Sequence, residues 1–263
     1  MGDRDPVLVS DKGAVRTLTL NRPERMNALD GAMADAFLAA AQAASADEAV
    51  RCVVLRGAGK GFFAGGDVAE FVEHGDDVGT FAGDLIDRYH PTIECLRAME
   101  KPVVAGLHGP VAGAGLSLAM AADLAIAHEG TVFSLAYTAI GASPDGGSTY
   151  FLPRIVGQRR ALEIALLSDR FDAARALELG LVNRVVPGDA FEAELDALAV
   201  RLASGPTRAY GRVKRLIEQS VTNDLTAQLA AERAAFMEGA ETRDFREGIG
   251  AFTAKRKPDF SGE

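Results

Sequence analysis

Three short segments of this chain are apolar almost from end to end: CVVLRG at 52–57, PVVAGL at 102–107 and DLAIA at 123–127. A strand with one wet face alternates polar and apolar residues, because successive side chains point to opposite sides. These segments do not alternate. They fit strands covered on both faces, the pattern of a parallel sheet flanked by helices. The intervening stretches supply the helices. Asp30 stands just before AMADAFLAAAQAA and makes a good N-cap, and 77–99 carries Ile86, Ile93 and Leu96 among its spaced apolar positions. AVRTLTL at 14–20 adds a β-branched strand, and TVFSL follows the third apolar segment. Strand, loop and helix repeat with variation, which gives an α/β core.

The character changes from about 158. QRRALEIALLS and ARALELG, then 189–203, 206–220, 223–238 and 241–254, read as helices, with one strand, LVNRVVP, at 181–187. The chain therefore divides into a core over 1–200 and a helical region over 201–263, with no low-complexity linker between them. Such helices pack on the core or on another subunit. The longest apolar run, 111–127, is broken by small residues and by Asp123 and is short for a membrane span. It reads as a buried helix leading into a strand.

A net charge of -9 and a pI of about 5.1 argue against a general binder of nucleic acid or anionic lipid. An anionic ligand has to be held by local basic residues. The two cysteines, Cys52 and Cys95, have no framework spacing and point to a reducing compartment. The opening MGDRDPVLVS carries acids and no apolar targeting core, so a cytoplasmic protein is expected. The four histidines form no pair at metal-binding spacing and there is no C-x-x-C, so no metal site is expected.

Two glycine-rich loops, FFAGGDVAEF at 62–71 and HGPVAGAGLSLAM at 108–120, each follow a buried strand. Small residues let a ligand approach the backbone, and free N–H groups at a helix start attract negative charge. Two such loops can aim two donors at one oxygen, an oxyanion hole. Tight strand-to-helix turns account for the same glycines, and spacing alone leaves both readings open. Asp67 reads as the cap of a short helix after the first loop. A third stretch, GASPDGGSTY at 141–150, carries one acid, Asp145, which either caps the helix that follows or faces a ligand.

LNRPERMNAL, FFAGGDVAEF, KPVVAGLHGPVAGAGLSLAMAADLAIA, PDGGSTYFLPRIVG and FREGIGAFTAKRKPDF, in this order, resemble the crotonase (enoyl-CoA hydratase/isomerase) superfamily over about residues 8–260. The resemblance implies a spiral of ββα repeats with a C-terminal helical region that builds trimers, often paired into hexamers. It implies acyl-CoA thioesters as ligands, coenzyme A being part of the substrate and no further cofactor being needed. The main-chain N–H groups of Gly66 and Ala114 would form the oxyanion hole, with Ala64, Gly65, Asp67, Val68 and Gly113 beside the substrate. Arg22, Arg25, Met26 and Ala28 would line the pantetheine and adenine path. Phe252 and Lys255, one helical turn apart, would stack on adenine and reach phosphate, often in a neighbouring subunit.

Hydratases of that superfamily use two glutamates. The matching positions here hold Ser117 and Tyr137. The single acid Asp145 resembles the subgroup in which one loop aspartate acts alone, which includes double-bond isomerases and enzymes rearranging ring-epoxide CoA esters. The expected reaction is therefore a double-bond shift in an enoyl-CoA, with Asp145 as base and then acid. Three alternatives stand beside it. One is a hydratase with reassigned acid/base groups. Another is an aryl-CoA dehalogenase-like hydrolase, with Asp145 as nucleophile, His90 activating water, and Tyr89 and Tyr137 as remnants of an aromatic cage. The third is a non-catalytic or RNA-binding paralogue using Arg208, Arg212, Lys214 and Arg215. For His90, a half-buried helix histidine with a backbone partner is the plainer reading.

Overall fold

The computed structural model describes residues 5–263; Met1–Arg4, part of the stretch read for a targeting signal, lie outside the described residues. Among the described residues, nine strands and eleven α-helices follow one another in a repeating order. The strands are β1 (Val7–Lys12), β2 (Val15–Leu20), β3 (Cys52–Gly57), β4 (Val103–Leu107), β5 (Pro110–Ala112), β6 (Leu124–His128), β7 (Val132–Ser134), β8 (Phe171–Asp172) and β9 (Arg184–Val186). The helices of the first half are α1 (Gly31–Ala46), α2 (Val68–Glu73), α3 (Val78–Ala98) and α4 (Ala114–Ala121). Those of the second are α5 (Ser148–Val156), α6 (Gln158–Leu167), α7 (Ala173–Glu178), α8 (Phe191–Ala203), α9 (Thr207–Gln219), α10 (Leu225–Ala240) and α11 (Arg243–Thr253).

The large sheet has the order β1-β2-β3-β4-β6-β9, and all its pairings are parallel except β1 with β2. A smaller sheet has the order β5-β7-β8. Two isolated parallel bridges, Leu29 with Gly66 and Phe63 with Val111, complete the pattern. Each turn of the chain leaves the large sheet, touches a second short extended segment and returns through a helix. In the first two turns that second segment is reduced to a bridge, at Leu29 and at Phe63. In the next two it is β5 and β7. This is a spiral of ββα repeats.

The apolar strands are covered on both sides, as their composition requires. Val53, Leu55, Val103, Ala105, Leu107, Ala125 and Ala127 face one core with Met33, Phe37, Tyr89, Leu96 and Leu116. The alternate residues Cys52, Val54, Val104 and Ile126 face a second core closed by Phe191, Leu195 and Ala199 of α8. Each large apolar side chain so buried stabilises the fold by about 1.5–3 kcal/mol. Gly106 lets α8 come close: a Cβ there would lie 2.4 Å from Leu195 Cδ2.

Ion pairs tie α9 to the core. Lys214 Nζ lies 2.7 Å from Asp123 Oδ2 and donates to the Lys101 carbonyl at 3.0 Å. Arg212 and Arg215 both pair with Glu238 of α10. Two of the four cations that an RNA-binding reading would use, Arg212 and Lys214, are therefore spent inside the fold, and Arg215, exposed, also has a carboxylate partner. Among the described residues, no helix is long and apolar enough to cross a membrane.

One expected pairing is not formed. Helix α11 ends at Thr253, and Lys255 has a left-handed φ of 52°. The N–H of Arg256 reaches back to the Ala251 carbonyl and that of Lys255 to Phe252, a Schellman cap. The chain has already turned, so Phe252 and Lys255 do not share a helical face. Arg256 is held by both carboxylate oxygens of Glu247.

Candidate active site

The first glycine loop is held by the turn before α1. Asn27, fully buried with φ 57°, donates to the carbonyls of Ala58, Gly61 and Phe62, and its Oδ1 accepts from the Arg22 N–H. Asparagine tolerates this left-handed backbone better than most residues. The main chain adds Ala64 N–H to the Met26 carbonyl, at 3.1 Å, and Leu29 N–H to the Gly65 carbonyl, at 2.8 Å. Arg22 is a clamp as well. Its guanidinium is 3.0 Å from both Asp30 and Asp67 and also donates to the Ala28 carbonyl. It is thus not free to meet a phosphate, contrary to the sequence expectation.

The second loop lies against the first. A Cβ on Gly65, whose φ is 96°, would stand 3.3 Å from the Ala112 carbonyl oxygen and 3.5 Å from the Ala114 nitrogen. A Cβ on Gly115 would fall 2.0 Å from the Phe63 carbonyl oxygen. Only glycine allows this approach. Ala114 is the first residue of α4, where an N–H has no intrahelical acceptor. Among the described residues, neither the Gly66 N–H nor the Ala114 N–H has a hydrogen-bond acceptor.

Both amides border a cavity of about 220 Å³. Ala64, Gly65, Gly66 and Val68 line it from the first loop, and Gly113 and Ala114 from the second. Apolar side chains from α2 and α3 close it, among them Phe71, Leu85, Ile86 and Tyr89. Tyr137 and Asp145 face it from the other side, and Asp145 is the one acid in its lining. Phe71, Leu85 and Ile140 were not singled out from the sequence, because their spacing there marks only packed positions.

The Asp145 carboxylate caps no helix. Helix α5 begins at Ser148 after Gly147, whose φ is 81°, and no side chain caps it. Asp145 Oδ1 instead accepts a hydrogen bond from the Tyr137 hydroxyl. Oδ2 has no partner among the described residues. The main chain of the same residue is anchored from three directions. Ser117 Oγ donates to its carbonyl at 3.0 Å, and Ser148 donates to it through both N–H and Oγ, at 3.1 and 2.8 Å. His90 Nε2 accepts the Gly146 N–H at 3.2 Å. Burial is the larger cause, and the charge of Asp145 the second, that push the Tyr137 phenol far above its ordinary range, so it stays protonated. Tyr89 is pushed up by burial in the same way, and its hydroxyl donates to the Ala114 carbonyl at 3.3 Å.

The remaining candidates lie outside the cavity lining. Asp67 is buried, capping α2 through Ala69 N–H and pairing with Arg22. Ala28 is buried, whereas Arg25 and Met26 sit exposed on the turn that holds the first loop. His90 presents its ring nitrogen to Gly146, the backbone partner of its plainer reading, and does not line the cavity. Phe252, 86% exposed, borders a different and larger apolar groove of about 630 Å³ formed by α9, α10 and α11, and Lys255 is exposed beyond it.

The sequence profile of the family described as enoyl-CoA hydratase/isomerase matches residues 10–263. This chain belongs to the enoyl-CoA hydratase/isomerase family. Within that family it is 40% identical to a Rhodobacter capsulatus protein named "Probable enoyl-CoA hydratase", over 93% of each chain. It is 38% identical to the 1,2-epoxyphenylacetyl-CoA isomerase of Escherichia coli, over 96% of this chain and 97% of that one. The solved structure of an enoyl-CoA hydratase from a Polaromonas species superposes with a TM-score of 0.92 at 34% identity, over 97% and 99% of the two chains. The spiral of ββα repeats and the C-terminal helices are thus the crotonase fold, and the protein is an enzyme of this family.

Proposed function

We propose that this enzyme shifts the double bond of an enoyl-CoA thioester, with Asp145 taking a proton from one carbon and returning it to another. The thioester carbonyl lies between the Gly66 and Ala114 amides. Negative charge grows on its oxygen as the α-proton leaves, and the two waiting donors stabilise it most at that moment. The observation that carries the reading is the single acid in the cavity. At the two positions where a hydratase of this superfamily would hold water between glutamates, Ser117 and Tyr137 are each hydrogen-bonded to Asp145. One carboxylate suffices for a proton shuttle, which needs a base and then an acid in turn. Coenzyme A, as part of the substrate, would meet the exposed Arg25 and Met26, and no other cofactor is required.

Hydration is the second reading, and the hydratase names among the relatives favour it. The two are separated with purified protein and two substrates. A 3-enoyl-CoA should become conjugated, which is read in the ultraviolet, while a 2-enoyl-CoA should add little water. Efficient hydration of the second with no conjugation of the first would overturn the proposal. Asp145→Asn should bind CoA esters yet lose turnover. The dehalogenase-like reading has less support, because His90 Nε2 already accepts the Gly146 N–H. The enzyme is also proposed to self-associate as a trimer or a pair of trimers through the apolar groove of α9, α10 and α11, where Phe236 and Phe252 stand exposed. Light scattering that gave a monomer at micromolar concentration would exclude this.

A further inference from the structure

We infer that Tyr137 is a positioning residue that pins one oxygen of Asp145, so that the other oxygen alone carries the proton between the two carbons of the substrate. The inference rests on Asp145 being the acid/base group, and goes beyond it by assigning the atom and the residue that selects it.

Four observations meet here. The Tyr137 hydroxyl donates to Oδ1 of Asp145, and Oδ2 is without a partner among the described residues. Tyr137 is largely buried, and both burial and the neighbouring carboxylate hold its proton on the phenol. Ser117 Oγ lies 3.4 Å from the same hydroxyl while donating to the Asp145 carbonyl. The backbone on either side is fixed, by Ser148 at the Asp145 carbonyl and by His90 at the Gly146 N–H. A carboxylate rotates readily about its last bond, and its two oxygens are otherwise equivalent. With the main chain anchored and Oδ1 engaged, that rotation is blocked. Side-chain geometry then leaves Oδ2 as the basic atom.

The chemistry follows and balances. Oδ2 takes the proton from C2 of a 3-enoyl thioester, and the C2–H electron pair moves into a dienolate whose oxygen rests on the amides of Gly66 and Ala114. The same Oδ2–H then protonates C4. The C3–C4 π bond is lost, a C2–C3 π bond forms, the carbonyl is restored and the carboxylate returns. Tyr137 keeps its own proton throughout, so it acts through the base and takes no part in the proton transfer itself. Because one atom takes and gives, the proton moves across one face of the dienolate and part of it stays with the substrate.

The test uses the full-length enzyme and a 3-enoyl-CoA deuterated at C2. Tyr137→Phe removes only the hydroxyl. Its kcat should fall about 10- to 100-fold, the weight of a hydrogen bond to a charged group, with KM within about 2-fold. The fraction of label recovered at C4 should drop as well, because a carboxyl free to turn exchanges its proton with water before returning it. Loss of packing alone would not change label retention. Thermal unfolding of Tyr137→Phe within a few degrees of the parent secures the comparison. Wild-type kcat together with wild-type label retention in Tyr137→Phe would overturn the inference. If Asp145→Asn were fully active, the proposed function itself would fall. If Asp145→Asn is inactive while Tyr137→Phe is unaffected in both readouts, the function stands and only the role of Tyr137 is lost.

Discussion

Ser117 Oγ donates a 3.0 Å hydrogen bond to the main-chain carbonyl of Asp145, from a position with no solvent exposure. The pair joins α4, whose first amide borders the cavity, to the loop that carries the acid. It also decides how Ser117 answers to mutation. A Cβ on Gly146 would lie 3.0 Å from the Ser117 Cβ, so the loop has no room for a longer side chain there. Ser117→Glu, which would restore a hydratase-like acid, should therefore push the 143–147 loop aside and abolish isomerisation without creating hydration. Ser117→Ala should be mild, about 1 kcal/mol in stability, because Ser148 still satisfies the Asp145 carbonyl. Both variants are read with the same pair of enoyl-CoA substrates and a urea titration. Hydration by Ser117→Glu with isomerisation intact would contradict this account of the loop.

The Ala114 amide can be removed without disturbing its helix. Ala114 occupies the first position of α4, where proline is well tolerated because the N–H has no intrahelical partner. Ala114→Pro should fold normally by circular dichroism and lose about 100- to 1000-fold in kcat, the usual effect of deleting one oxyanion donor. A variant that folds and turns over at the parent rate would show that the amide does not contact the developing charge.

The fold could be read from the chain wherever one physical requirement acted alone. Segments 52–57 and 102–107 had to be two-sided strands because they are apolar almost throughout and do not alternate, and Asp30 had to cap α1 because it precedes an alanine-rich run; its Oδ1 accepts the Met33 N–H at 2.7 Å. Residues with two possible partners were harder. Asp145 could cap or face a ligand, and the decision lay with Tyr137, eight residues away and brought near by a turn. Arg22 looked like a phosphate ligand because its partners Asp30 and Asp67 lie on other segments. Asn27 carried a usable signal, an asparagine between a Pro-bearing turn and a helix cap, but its three carbonyl acceptors belong to residues 58–62. Lys255 followed a helical pattern that the chain ended two residues earlier.

Thiol chemistry offers a check on the two-sided sheet. Cys52 is fully buried under α8, and burial, followed by the charge of Asp123, pushes its thiol up to about 12. Cys95 is half-buried and shifted upward by burial too. In a Cys95→Ser protein at pH 8, a thiol reagent should find nothing until denaturant is added, and then one equivalent. Rapid labelling of Cys52 in that native protein would mean that α8 does not stay on the sheet.

The ion pair between α9 and the core should make stability depend on pH in one direction. Burial is the larger influence on both partners: it raises the Asp123 carboxyl above its ordinary range and lowers the Lys214 ammonium, against their mutual attraction. Lys214→Met removes the nearest opposing charge, so the Asp123 carboxyl climbs further. A carboxyl whose folded-state pKa exceeds its unfolded value binds a proton more tightly in the native protein. Its favourable contribution is complete below the unfolded pKa and is lost as pH rises through the folded one. The deficit of Lys214→Met relative to the parent should therefore be about 3–5 kcal/mol near neutrality and smaller near pH 5. Adding Asp123→Asn, which leaves an acceptor for the Val103 N–H now bonded at 2.8 Å, should recover most of the loss at neutral pH. Urea unfolding at both pH values measures this. A deficit that is the same at each pH, or that grows toward acid, would mean that the Asp123 charge is not what Lys214 balances.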